Sequence, residues 1–172
     1  QIAASLPGYD PQDLHADTVA AFLQQLAQPV AGTETLALHD ALGRVLAEDV
    51  VSPIDVPPHD NSAMDGYAFD GAQLQPGQPL LLRPMGATAY AGARWTGAVA
   101  PGECVRIMTG AILPPGLDTV VPQELTTTDA EGRIRIAADA LRPGANRRLA
   151  GEDLARGRVA LARGERITPA AL

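Results

Sequence analysis

The sequence of 172 residues contains no lysine, because all 13 of its basic residues are arginine. Within this sequence, that excludes both a Schiff-base lysine and the lysine of a phosphate-binding Walker A loop. The arginines are outnumbered by 20 acidic residues, which leaves a formal net charge of −7 at pH 7. Nucleic acid binding needs a basic surface, so this charge argues against nucleic acid as a partner.

Cysteine, aromatic residues and long apolar runs are also scarce. Aromatic residues make up 3% of the sequence although hydrophobic residues make up 46%, so the core must be mainly aliphatic. The single cysteine, Cys104, can form no internal disulfide, and its apolar surroundings indicate a core residue rather than a nucleophile. No apolar run approaches the ~20 residues of a membrane-spanning helix, and no segment resembles a signal peptide. We therefore expect a soluble cytoplasmic protein with no membrane partner.

Glycine and proline are frequent, with 17 and 15 residues, and they divide the chain into short segments. Apolar spacing predicts a helix capped by Asp17 and running to about residue 27, a short strand at 33–38 and a second helix at 40–48. From residue 52 onward, turn residues separate short apolar runs, which is typical of the strands of a small barrel or sandwich. These runs lie at 66–70, 80–83, 104–108, 119–121 and 133–137, and a further one lies at 159–161.

These patterns predict an α+β fold that is mostly β. We place domain boundaries near Ser52 and Pro143. Residues 1–52 and 144–172 would together form a small mixed α/β domain, and residues 53–143 would form an inserted, β-barrel-like domain. Thr168 and Pro169 are typical of a helix N-cap and first helical residue, so we expect the sequence to be part of a longer protein.

The segment from Asp60 to Asp65 combines two carboxylates with the amide of Asn61 and the hydroxyl of Ser62. Two carboxylates on a short loop can bind Mg²⁺ through oxygen, and one of them can act as a general base. The same residues equally fit an Asx turn at Asp60 and an Asp-Gly turn at Asp65. Ser62 lies outside any G-x-S-x-G elbow, which argues against a serine hydrolase.

Two later segments also carry polar groups. A predicted strand containing Arg106 runs into Thr109 and Gly110, where a hydroxyl and flexible backbone amides can bind an anion. An ordinary strand end with a solvent-facing arginine is the alternative. Glu152 and Asp153 could supply a further metal ligand, or they could belong to a solvated turn and pair with the preceding arginines.

Taken together, the three segments resemble the molybdopterin molybdenumtransferases, the family that includes the bacterial MoeA proteins and the E domain of gephyrin. The first segment, at 49–68, is DVVSPIDVPPHDNSAMDGYA. The second, at 106–111, is RIMTGA, and the third, at 144–153, is GANRRLAGED. The resemblance extends from about residue 17 to the end. His59 departs from it, because the family usually has phenylalanine there.

The resemblance implies an enzyme that takes adenylylated molybdopterin and molybdate, with Mg²⁺, and forms the molybdenum cofactor. It cleaves the adenylate and inserts molybdenum. The resemblance also implies a homodimer whose C-terminal pterin-binding domains lie outside this sequence. The N-terminal region would then be inactive alone.

Residue roles also follow from the resemblance. Asp60 would handle metal or molybdate or activate water, Thr109 would donate a hydrogen bond to an oxyanion, and Asp153 would be a supporting acid. Four residues would bind the substrate: Asn61, Ser62, Arg106 and Gly110. Asp65 and Glu152 stay open between functional and turn residues. The alternative for the whole chain is a non-catalytic dimerisation or binding module in which the acidic loop is structural.

Overall fold

The computed structural model describes residues 15–28 and 30–172, and the chain divides into two units, residues 1–42 with 172 and residues 43–171. Within the described residues, the first unit contains helix α1 and one 3₁₀ turn, and the second contains ten strands. The helix and strands are α1 Ala16–Leu26, β1 Val50–Val51, β2 Asn61–Ser62, β3 Gly66–Phe69, β4 Leu80–Ala89, β5 Glu103–Ile107, β6 Thr119–Pro122, β7 Thr126–Thr128, β8 Ile134–Ile136, β9 Arg147–Arg148 and β10 Val159–Leu161.

Helix α1 is the helix predicted from the apolar stripe near the start of the chain. Its N-cap is His15, whose side chain makes no capping hydrogen bond, so the predicted capping by Asp17 is wrong. Asp17 instead lies in the first turn, where its negative charge interacts favourably with the helix dipole and stabilises the helix. No helix in the described part of the chain is long and apolar enough to cross a membrane.

Two predicted elements between residues 33 and 48 are wrong. Residues 33–37 form no strand, because an alternating pattern becomes a strand only where a partner strand accepts its hydrogen bonds. The predicted helix at 40–48 is reduced to a 3₁₀ turn at Leu38–Ala41. The chain turns at Gly43, whose φ of 78° lies outside the helical region, and Val45 then pairs with Arg166 in a β-bridge.

A six-stranded sheet forms the centre of the second unit, in the order β6-β3-β5-β4-β8-β7. Strands β4 and β5 are parallel, and the other neighbours are antiparallel. Each of the predicted apolar runs from 66 to 137 corresponds to one of these strands. The sheet is curled like half a barrel, and the prediction of a mostly β fold is confirmed.

Both faces of this sheet carry buried side chains. Along β5, Val105 and Ile107 belong to one apolar cluster, whereas Cys104 belongs to a second cluster with Phe69 and Leu82. A strand covered on both faces reads as a continuous apolar run, which explains why these segments are recognisable in the sequence. Cys104 is fully buried, as predicted, and its burial, together with the charge of the neighbouring glutamate, raises the pKa of its thiol to about 12.

Segments far apart in the sequence also pair outside the six-stranded sheet, in two two-stranded sheets. Strand β1 pairs antiparallel with β10, matching Val50 with Leu161, and β2 pairs antiparallel with β9. Residues 45–62 are thereby joined to residues 147–166. Domain boundaries near Ser52 and Pro143 stay a prediction.

Candidate functional site

Strand β2 lies between the other two segments that carry polar groups. On one side, Ser62 donates its backbone N–H to Ala111 O at 3.0 Å, and Gly110 donates its own to Ser62 O at 2.8 Å. On the other side, β2 pairs with β9, which places Asn61 opposite Arg148. The three segments that are separated in the sequence are therefore direct neighbours in the structure, with β2 between them.

The carboxylate of Asp60 is held by the third segment. Its Oδ2 accepts hydrogen bonds from Nε of Arg147 at 2.9 Å and from Nη2 of the same side chain, and its Oδ1 accepts the backbone N–H of Ala150 at 2.8 Å. The Ala150 hydrogen bond, and then the hydrogen bonds and charge of Arg147, hold the pKa of Asp60 below its usual value against the opposing effect of burial. An ionised carboxylate with these donors is a weak general base.

A resident Mg²⁺ does not fit the residues present. Among the residues that the structure describes, no group of three or more His, Cys, Asp or Glu side chains could hold a metal ion. Asp60 already has a cation, Arg147, against it, with only about a third of each side chain exposed. A metal ligand at Asp60 stays a prediction, and it would require Arg147 to move away.

Thr109 is fixed by Asp65 rather than by Asp60. Both its backbone N–H, at 2.8 Å, and its hydroxyl, at 2.7 Å, donate to Oδ1 of Asp65. These two hydrogen bonds, the backbone one first, lower the pKa of Asp65, so this carboxylate is an ionised acceptor. A threonine hydroxyl has a single proton, and here Asp65 accepts it. Donation from Thr109 to an oxyanion stays a prediction, and it would require this hydrogen bond to break.

Asp65 is the residue of the site whose role sequence reasoning left open. A signal for it exists in the strand register, because Gly66 is paired with Ile107 across β3 and β5. Antiparallel pairing sets the residue before Gly66 beside the residues that follow Ile107. Knowing that these two runs are neighbouring antiparallel strands would have been enough to bring Asp65 to Thr109.

The acids of the third segment share one arginine. Arg148 donates from Nη2 to Oδ2 of Asp153 at 2.5 Å and from Nε to Oε1 of Glu152 at 2.6 Å. The other oxygen of Glu152 accepts the backbone N–H of Leu149 at 2.8 Å, and these hydrogen bonds, Arg148 first, lower the pKa of Glu152. Glu152 thus stabilises the turn after β9, while Asp153 is about half exposed.

Three of the predicted substrate-binding residues, Asn61, Ser62 and Gly110, lie in or next to the β2 region, and their local structures differ. The buried hydroxyl of Ser62 donates to Met64 O at 2.6 Å, so it stabilises a local turn. The side-chain oxygen of Asn61 is buried without a hydrogen-bond partner. Gly110 has a φ of 79°, which suits glycine at the bend after β5.

Arg106 lies over the ring of Tyr67, 5.2 Å from its centroid. One guanidinium nitrogen donates to the Tyr67 hydroxyl at 3.3 Å, and another donates to Oε1 of Gln123. Gln123 in turn donates its backbone N–H to Asp65 O at 3.1 Å. Arg106, Asp65 and Thr109 therefore form one neighbourhood on one side of β2.

The three residues predicted to be catalytic do not contact one another directly. Thr109 belongs to the neighbourhood of Asp65, whereas Asp60 and Asp153 are bound to successive arginines of β9, Arg147 and Arg148. Strand β2 separates the two groups. The geometry thus brings the three segments together while giving each predicted residue a different partner.

The chain resembles characterised proteins over most of its length. A family model described as the MoeA N-terminal region (domain I and II) matches residues 14–172. The molybdopterin molybdenumtransferase of Haemophilus influenzae is 43% identical over 150 residues, which is 87% of this chain and 36% of that protein. The molybdopterin molybdenumtransferase 2 of Mycobacterium tuberculosis is 38% identical over 157 residues, 90% of this chain and 37% of that protein.

The fold also resembles that of a solved structure. The crystal structure of the molybdopterin biosynthesis moeA protein from Pyrococcus horikoshii OT3 superposes with a TM-score of 0.73 at 30% identity, covering 88% of this chain and 39% of that one. The chain spans a little over a third of the length of these relatives. With the family model matching nearly the whole sequence, and with the three segments gathered around β2, this chain belongs to the MoeA family and corresponds to its N-terminal region.

Proposed function

We propose that this chain is the N-terminal part of a molybdopterin molybdenumtransferase, an enzyme that inserts molybdate into adenylylated molybdopterin to form the molybdenum cofactor. The activity in the names of its relatives supports this proposal. The observation that carries it is the hydrogen-bonded pair of Asp65 and Thr109, which joins the first two segments beside β2. The remainder of the active site would lie in parts of the homodimer outside this chain, and the chain alone would be inactive.

In this proposal, the Asp65–Thr109 pair positions an oxygen nucleophile. The exposed Thr109 hydroxyl donates to an ionised carboxylate, which leaves its oxygen lone pairs free to accept a hydrogen bond. A water molecule bound there would be oriented for attack on the phosphorus of the adenylate. The bond between that phosphorus and the bridging oxygen would then break, the bridging oxygen would leave on the pterin phosphate with the proton that the water gives up, and AMP would form. Mg²⁺ would have to arrive with the substrate phosphates, because the described residues provide no cage for it.

Thr109→Val in the full-length protein tests this role. Valine has nearly the same shape as threonine but no hydroxyl, so we expect cofactor formation from adenylylated molybdopterin and molybdate to slow by about 100-fold or more. The melting temperature should change little, because Thr109 is exposed.

Thr127→Val is the matched control, since Thr127 is an exposed threonine on the edge strand β7. It should leave the rate unchanged. A Thr109→Val enzyme that works at the rate of the wild type would rule out the proposed role of the pair. It would then favour the alternative, a non-catalytic binding or dimerisation module.

A further inference from the structure

An open depression of about 510 Å³ lies on the six-stranded sheet. Its volume is within the range of small-molecule sites, roughly 300–1,000 Å³. It occupies the sheet face that carries Cys104, because Arg106 follows Cys104 by two residues on β5 and side chains alternate along a strand. The depression is lined by Tyr67, Pro84, Thr88, Tyr90, Arg106 and Met108.

The strand register sets three polar side chains in a row across the depression. Thr88 of β4 is paired with Arg106 of β5, which is paired with Tyr67 of β3. Residues paired across neighbouring strands point to the same face and lie within side-chain contact. The row begins where the apolar cluster around Cys104 ends, so the sheet changes there from a core surface to a polar one.

Among the described residues, no carboxylate forms an ion pair with Arg106, although its charge acts on Asp65 at longer range. Its hydrogen-bond partners, Tyr67 and Gln123, are both neutral, and it takes part in none of the ion pairs among the described residues. Arg147 and Arg148, by contrast, are both paired with acids. A guanidinium already fixed by stacking on Tyr67 is well prepared to bind phosphate oxygens through its remaining N–H groups.

The depression also offers flat apolar surfaces. Tyr90 is 59% exposed although the chain has only six aromatic residues, Phe 2, Trp 1 and Tyr 3. Exposed aromatic rings that line a concave surface stack well on planar heteroaromatic rings. Met108 adds a polarisable side chain that adapts to such a ring. Met108 also immediately precedes Thr109, so a ligand in the depression would lie beside the Asp65–Thr109 pair.

We propose that this depression binds a planar heteroaromatic ring that carries a phosphate group, with Arg106 contacting the phosphate and Tyr90 stacking on the ring. This inference rests on the proposed function, whose substrate contains two such units, the adenylate and the pterin phosphate. Either unit has the required chemistry, and the experiment distinguishes them.

Binding of AMP, neopterin monophosphate and inorganic phosphate is measured by calorimetry on the full-length protein. We expect AMP or neopterin monophosphate to bind more tightly than inorganic phosphate, and Arg106→Gln to weaken that binding at least about tenfold, the size of a lost charge-assisted hydrogen bond. Arg135→Gln is the matched control, because it removes the same charge from an exposed position on β8 of the same sheet. It should leave binding unchanged.

Tyr90→Leu provides a second, independent test, because an exposed side chain contributes little to folding. It should weaken the binding of the ring-bearing ligand by about fivefold or more and leave the binding of inorganic phosphate unchanged. If Arg106→Gln lowers the melting temperature, this variant decides the question.

AMP-selective binding identifies the adenylate as the occupant, and selectivity for neopterin monophosphate identifies the pterin. The inference is overturned if neither ligand binds the wild type. It is also overturned if Arg106→Gln binds as well as Arg135→Gln, or if Tyr90→Leu binds the ring ligands as the wild type does. Cofactor formation by the wild-type full-length protein is measured as well. If the wild type forms the cofactor, the proposed function stands even when the binding inference is overturned. If the wild type forms no cofactor, the proposed function is contradicted whatever the binding results.

Discussion

At the scale of single residues, Asp60 has a structural role: it lies just before β2, and its carboxylate links this segment to β9 and the turn that follows. Its oxygens accept hydrogen bonds from Arg147 and Ala150, so replacing it with asparagine would leave a half-buried guanidinium without its counter-charge. We therefore expect Asp60→Asn to lower the melting temperature and to reduce cofactor formation less than Thr109→Val does. Abolished activity with unchanged stability would instead support the catalytic role predicted from the sequence.

The pH dependence of stability gives this prediction a second measurement. The folded-state pKa of Asp60 is below its usual value of 3.8, so its stabilising contribution is complete above that value and is lost as the pH falls through the folded-state pKa. The stability difference between wild type and Asp60→Asn, measured by urea unfolding, should therefore shrink below about pH 4. Asp40→Asn is the control, because it makes the same substitution at an exposed position that takes part in none of the ion pairs among the described residues. It should lower the melting temperature less than Asp60→Asn does.

The chemistry of these carboxylates could be predicted from the sequence, but their partners could not. Asp60 and Arg147 are 87 positions apart, and Asp65 and Thr109 are 44 apart. Whether an acid in a turn-rich loop is a base, a ligand or a hydrogen-bond acceptor depends on the donors that tertiary folding brings to it. The loop could therefore be chosen from the sequence as a candidate site, whereas the donors that hold Asp60 and Asp65 became visible only with the strand register.

At the scale of elements, the pairing of β3 with β6 depends on Gly66. A Cβ added at this position would lie 1.9 Å from the carbonyl oxygen of Val121, a backbone atom of the neighbouring strand. Glycine is thus required at this position because the backbones of β3 and β6 approach each other too closely for a side chain. This requirement is separate from the Asp-Gly turn predicted from the sequence. We expect Gly66→Ala to force β3 and β6 apart and to lower the free energy of unfolding by about 1–3 kcal/mol, measured by urea denaturation.

Gly86→Ala on β4 is the matched control. An added Cβ there meets nothing within 4 Å, so the change should stay within about 0.5 kcal/mol of the wild type. Equal stability of the two variants would mean that β3 and β6 are not paired as described. The pairing of elements also explains which strands could be predicted. Strands buried on both faces are continuous apolar runs in the sequence. Residues 33–38 have an alternating pattern, but a local pattern does not show whether a partner strand is present, and no strand of the described residues pairs with them.

At the scale of the whole molecule, the six-stranded sheet lies between residues 66 and 136, inside the predicted inserted domain of residues 53–143. Its edge strand β6 is nevertheless held by residues just beyond that boundary. Val120 donates its backbone N–H to Ala145 O at 3.0 Å, Asn146 donates its side-chain N–H to Val120 O at 2.8 Å, and Gly144 donates its backbone N–H to the hydroxyl of Thr119 at 2.8 Å. We therefore expect a sheet that folds independently to need the residues up to 146, as well as residues 53–143, for its full stability.

Two segments, residues 53–143 and 53–146, test this boundary. Both contain every strand of the six-stranded sheet, so both should unfold cooperatively and protect the amides of β3 and β5 from hydrogen exchange. The longer segment should be more stable by about 2–4 kcal/mol, because it keeps three hydrogen bonds onto the buried groups of β6. Strand β2 should exchange rapidly in both segments, because both end before β9, Arg147–Arg148. Unprotected β3 and β5 amides in both segments would show that the sheet cannot fold without the paired chain ends, and the inserted-domain prediction would then be wrong.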